Sequence, residues 1–231
     1  MESENKQSGD LYMFLGWLDK NKNQVITGVV VVILVGIIYF YFDYRKSERA
    51  IEAGQQLSAV LLTGTAGGPT SDALLKVAND NSGTDAGARA LLAAAGKQFV
   101  DGKVDDAKAS FQRFVSDYQE SPLLSQAKYG IAACLDAQGK TNDAATAFKE
   151  VMDRYAGENT TAPSKFALAR IYEAEGKLEQ ARDYYMDLAR DGRNTFAMEA
   201  GSRVTAIFQK HPNLRPTSTS AMNRTAVAPA P

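Results

Sequence analysis

The distribution of apolar residues changes character along the chain. From Val25 to Phe42 the sequence VITGVVVVILVGIIYFYF runs 18 residues without a charge, and as a helix it rises about 27 Å, close to the thickness of a bilayer's hydrocarbon core. Beyond it, small and apolar residues recur at helical spacing and are punctuated by three similar phrases, GKVDDA at Gly102, GKTNDA at Gly139 and GKLEQA at Gly176, which begin 37 residues apart. One continuous apolar run followed by a periodic amphipathic pattern predicts a membrane span and then an array of helices.

The apolar run has the flanks of an uncleaved anchor. Tyr39, Phe40, Tyr41, Phe42 and Tyr44 crowd its C-terminal end, where aromatic rings prefer the headgroup level. The following DYRKSERA offers no small-residue cleavage site of the kind a signal peptide needs. Ahead of the run, Leu11, Phe14, Leu15 and Leu18 fall at helical spacing in LYMFLGWLDKNKNQ and predict a short helix lying on the membrane surface. Lys20 and Lys22 on one side against Arg45, Lys46 and Arg49 on the other leave the orientation undecided.

The 37-residue offset holds well beyond the opening phrases. It aligns Ala95, Ala132 and Ala169, then Ala94, Ile131 and Leu168, then Ala107, Ala144 and Ala181, then Phe111, Phe148 and Tyr185. Each unit is expected to be a helical hairpin. Its glycine takes the left-handed conformation that ends the first helix, and Asp105, Asn142 or Glu179 enters the first turn of the second, near the positive end of its dipole. The alanines let the two helices approach closely, while the aromatic reaches toward the next unit, so that no unit buries its face alone and stacking is required.

Those positions resemble the tetratricopeptide repeat (TPR) family, whose unit has small residues at its eighth and twentieth positions and an aromatic at its twenty-fourth. Counted from Ala88, Ser125 and Ala162, these are Ala95/Ala107/Phe111, Ala132/Ala144/Phe148 and Ala169/Ala181/Tyr185. The period of 37 rather than 34 and the missing tryptophan at the fourth position depart from the family pattern. The expected fold class is all-α, a single transmembrane helix followed by a TPR-type solenoid. Its parts are an N-terminal segment with a short amphipathic helix (1–24), the span (25–42), a connecting helix with a degenerate first repeat (43–87), three repeats and a capping helix (88–208) and a disordered Pro-, Ser/Thr- and Ala-rich tail (209–231).

Composition narrows the function. A net charge of -1 gives no field for nucleic acid. Cys134 and His211 are the only residues of their kinds, so an intramolecular disulfide and a multi-ligand zinc site are out of reach. No nucleophile stands beside a base in sequence, Asp105 and Asp106 read as helix-start acids, and TGTAGGPT lacks the Lys-Ser/Thr of a phosphate-binding loop. No catalytic residue, cofactor or small-molecule substrate is therefore expected, and Cys134 reads as a packing residue on a small-residue face.

What remains is surface. In the TPR family the second, fifth, ninth and twelfth positions of the first helices line a concave groove that takes peptides. The resemblance places Arg89, Leu92, Phe99, Gln126, Tyr129, Phe166, Arg170 and Glu173 there, with core packing the alternative for the aromatics. The layout as a whole, and the stretch KVANDNSGTDAGARALLAAAGKQFVDGK above all, resembles the YfgM-type ancillary subunits of the bacterial Sec translocon. That resemblance implies an inner-membrane protein with periplasmic repeats, whose partners are translocon subunits, a membrane-tethered chaperone and emerging chains. The repeats are also similar to those of the CpoB and BamD families of envelope proteins, which implies, as the alternative, a scaffold in division or outer-membrane assembly.

Overall fold

The computed structural model describes residues 17, 20–62, 68–192 and 194–216. The amphipathic helix expected around Leu11 to Leu18 lies outside the described residues, as do most of the TGTAGGPT loop and the tail from residue 217. The described residues form helices and no strand. The chain divides into two compact units, residues 1–55 and 56–231.

Helix α1 spans Lys22–Leu62. The apolar run and the connecting segment after residue 42 form one continuous helix, because DYRKSERAIEAGQQ contains no proline and is rich in good helix formers. Within α1, Lys22–Tyr41 is long and apolar enough to cross a membrane, with a mean hydropathy of 2.3, and the protein buries none of it. Glycines 28 and 36 face open space. At the end of this stretch the Arg45 Nε donates to Tyr41 Oη at 3.2 Å.

The second unit is an antiparallel array in which each helix packs on the next: α2 (Ser71–Asp80), α3 (Asp85–Val100), α4 (Val104–Asp117), α5 (Leu124–Ala137), α6 (Thr141–Arg154), α7 (Thr161–Ala174), α8 (Leu178–Arg190) and α9 (Ala197–Lys210). The pairs α3/α4, α5/α6 and α7/α8 are the three repeats. Threonines start the first of these helices. Thr70 Oγ1 accepts from Ala73 N at 3.2 Å, and Thr84 Oγ1 accepts from Gly87 N at 3.0 Å, which satisfies amides that a helix start leaves orphaned.

The three glycine elbows are built alike. Gly102, Gly139 and Gly176 have φ of 77°, 73° and 73°, left-handed values that cost other residues a clash at Cβ. At each, the next residue's amide reaches back five residues: Lys103 to Gln98, Lys140 to Leu135 and Lys177 to Tyr172, at 2.9, 2.9 and 2.8 Å. This is a Schellman closure, and it satisfies carbonyls at the end of the first helix while turning the chain directly into the second.

Packing follows the period. Ala95, Ala107, Ala132, Ala144, Ala169 and Ala181 are fully buried, and so, to within 6%, are Phe111, Phe148 and Tyr185. Each aromatic seats on the following unit. Phe148 packs with Ala167, Leu168 and Ile171 of α7, and Tyr185 with Ala200 and Ile207 of α9. Phe111 lies so close to α5 that a Cβ on Gly130 would fall 2.4 Å from its Cζ. Gly130→Ala should therefore force the ring aside and destabilise the domain by about 1–3 kcal/mol, read as a lower midpoint in urea with helix content unchanged beforehand.

Order also extends beyond the expected start of the tail. After α9, Pro212–Leu214 make one 3-10 turn. Arg182 Nη1 donates to Leu214 O at 3.0 Å, and Leu214 packs on the core beside α8 and α9. A guanidinium holding a backbone carbonyl and a leucine closing an apolar edge account for the extra ordered residues.

Candidate interaction surface

The first helices α3, α5 and α7 carry all eight residues expected to line a groove, and these differ in burial and in partners. Arg89 and Gln126 are exposed. Leu92, Phe99 and Tyr129 are half-buried. Tyr129 rests on Phe148 with ring centroids 5.6 Å apart and faces the Arg170 and Asp136 charges. Burial raises its phenol above the ordinary value, opposed in part by Arg170.

Phe166 takes the core alternative. It is 7% exposed and wedged between Tyr185, at 5.6 Å, and Phe196, at 4.9 Å. The chain leading into α9 lays Phe196 over it, so Phe166 is a core residue rather than an open contact position. Burial of both ring faces makes it part of the seal between the last repeat and its cap.

Arg170 and Glu173 are held by partners that the sequence reasoning did not single out. Arg170 Nη2 stands 3.8 Å from Asp136 Oδ2, which ties α7 to α5. Glu173 Oε2 accepts from Tyr185 Oη at 2.9 Å and lies 3.4 Å from Arg203 Nη1 of α9. The signal for both partners was present in the period: Asp136 stands 37 residues after Phe99, and Arg203 stands 37 after Phe166. The Tyr185 phenol is pushed far up, first by burial and then by its bond to Glu173.

Elsewhere the polar groups serve the fold. Ser110 Oγ donates to Gln98 Oε1 at 2.7 Å inside the first repeat. Lys165 pairs with Asp187 between α7 and α8. An open cleft of about 520 Å³ lies at the start of α7, lined by Glu158, Asn159, Pro163, Asn194 and Phe196 among others. Among the described residues no group of three His, Cys, Asp or Glu side chains is placed to hold a metal.

Cys134 is fully buried, and burial pushes its thiol up to about 11. A group whose folded pKa is raised stabilises the fold below its unfolded value and loses that contribution as pH rises through the folded one. The repeat domain should thus lose stability between about pH 9 and 11, with the Tyr129 and Tyr185 phenols adding to the slope. Urea midpoints across that range should fall more steeply for the native chain than for Cys134→Ala, and the thiol should resist a thiol-reactive dye at pH 8 until urea unfolds the protein.

The fold defines a helical-repeat protein. A model of the family described as tetratricopeptide repeat-like domain matches residues 16–194, and the chain belongs to that family. Two crystal structures of a putative kinesin light chain from Podosopora anserina with nearly identical TPR-like repeats, one of them a point variant, share the fold. The variant is 15% identical, with a TM-score of 0.51 over 74% of this chain and 90% of its own. The other is 14% identical, with a TM-score of 0.50 over 80% and 98%. A comparison with curated proteins finds no match. Repeats of this kind generally mediate protein–protein interaction.

Proposed function

We propose that this protein is a membrane-anchored, non-catalytic scaffold that binds proteins or peptides as an accessory of the Sec translocon, linking it to chaperones on the far side of the membrane. The observation that carries the reading is the union, in one chain, of an unburied apolar helix with a stacked helical surface. The family match begins at residue 16 and so takes in both. A solenoid offers an extended face that a peptide or partner domain can follow, and a helix in lipid fixes that face near the membrane. The resemblance of residues 76–103 to the translocon accessory supplies the particular partners and places the repeats in the periplasm.

Paired reporter fusions at the C-terminus test the side. A periplasmic-type reporter should be active and a cytoplasmic-type one silent, and the reverse result removes the translocon assignment. Crosslinking in native membranes, followed by mass spectrometry, should recover translocon subunits and a tethered chaperone. Recovery of division or outer-membrane assembly factors in their place would overturn this reading in favour of an envelope scaffold.

A further inference from the structure

A groove of about 400 Å³ lies between the second helices of the last two repeats, away from the first-helix row. It is lined by Lys149 of α6, Tyr172 of α7 and Gln180, Asp183, Tyr184 and Asp187 of α8. The α8 residues recur at helical spacing and share one face of that helix. Tyr172 and Tyr184 are stacked with ring centroids 6.0 Å apart, and neither phenol donates a hydrogen bond among the described residues. The charges around the rings are matched. Asp183 Oδ1 accepts from Arg182 at 2.8 Å, Asp187 pairs with Lys165, and Lys177, held by Glu175 at 2.8 Å, stands over the Tyr172 ring. Burial raises the Tyr184 phenol, with Tyr172 and Asp153 adding to the rise, so Asp153 stands near the groove that Lys149 lines and balances it. The groove is thus aromatic, half-buried and without a net charge.

We propose that this groove is the docking site of the chain's own residues 226–231, AVAPAP, which lie outside the described residues. A groove with matched charges suits an uncharged ligand, and Arg224 is the only charged residue between 217 and 231. Proline-rich segments dock on aromatic side chains in an extended conformation whose carbonyls are unbonded. The Tyr172 and Tyr184 hydroxyls supply donors for such carbonyls, and Pro229 and Pro231 lower the cost of ordering the segment. The path of the chain leads there. Arg182 Nη1 holds Leu214 O beside α8, and Tyr184, two residues on, stands about 200° around the same helix. Pro229 follows Pro216 by thirteen residues, about 40 Å of extended chain, whereas a helix is about 10–12 Å across. The segment reaches the groove around α8 with length to spare, and the short tether gives it an effective concentration in the millimolar range. Once docked, it closes the groove to other proline-rich segments.

Photocrosslinking of the full-length protein in detergent tests this. A photoreactive amino acid at Ala228 should crosslink to the stretches of α6 and α8 that carry Lys149 and Tyr184, located by mass spectrometry. Pro229→Ala with Pro231→Ala should cut the yield about fivefold. Tyr184→Phe keeps the ring and removes the donor, and should lower the yield about threefold, with helix content and urea midpoint unchanged. An equal mixture of isotope-labelled and unlabelled protein separates the two sources of the segment. Crosslinked pairs should carry one label only, and pairs that mix labels in statistical proportion overturn the proposal in favour of a second copy's segment. Crosslinks scattered over the repeats, or a yield indifferent to both the proline and the tyrosine changes, overturn it as well.

Discussion

Phe148→Ala should destabilise the repeat domain by about 3–5 kcal/mol, the usual cost of emptying a phenylalanine's place in a core. Its ring is 1% exposed, contacts Tyr129 and fills the space between α6 and α7 against Ala167, Leu168 and Ile171. The backbone around it is held at both glycine elbows, so the site has little freedom to collapse onto the void. In a stacked array each unit is stabilised by its neighbours, and weakening the middle interface uncouples the third repeat and its cap from the first. A urea titration of the full chain in detergent, followed by circular dichroism, should show an earlier midpoint and a broader or split transition. Phe99→Ala, at a half-buried position, serves as the comparison and should cost much less. Equal losses for the two variants would contradict the wedge role given to the twenty-fourth position.

Deleting residues 22–41 should move the protein entirely from the membrane fraction to the soluble one and leave the helix content of the repeats unchanged. These residues have a mean hydropathy of 2.3 and none is buried by protein. Ile33, Leu34, Ile37 and Ile38 are each more than half exposed, an arrangement that water disfavours and lipid does not. A milder change reads the same energy: Val32→Lys with Ile33→Lys places two ammonium groups mid-span, at about 3 kcal/mol each on insertion scales. Alkaline carbonate should fail to extract the native chain and should release both variants. Release of the native chain by carbonate would remove the anchor.

Much of this architecture is legible from one number, the 37-residue period. It places the buried alanines at the eighth and twentieth positions and the aromatic at the twenty-fourth, because a repeat writes its core into the sequence at fixed positions, and the left-handed glycines mark the elbows by local sterics alone. Where helices stop without such a local signal, the reading is weaker. Helix α1 runs on past the apolar stretch to Leu62, and no proline or glycine beside residue 42 marks where one part ends and the other begins. For Phe166 the spacing leaves groove and core both open, and the element that follows decides between them. Here the following element is a cap whose entry residue, Phe196, covers it, a non-local contact that no spacing announces. The cross-unit pairs Asp136–Arg170 and Glu173–Arg203 were in register but unread.

The first-helix face is expected to hold partners at the membrane. A photoreactive amino acid placed singly at Arg89, Gln126 or Phe99 on that face, and at Lys149 or Asp153 on second helix α6, tests it in intact cells. Crosslinks to translocon subunits or a membrane-tethered chaperone are expected from the first-helix positions, lost when residues 22–41 are deleted, and few from α6. Crosslinks confined to α6, or undiminished by loss of the apolar helix, would contradict it.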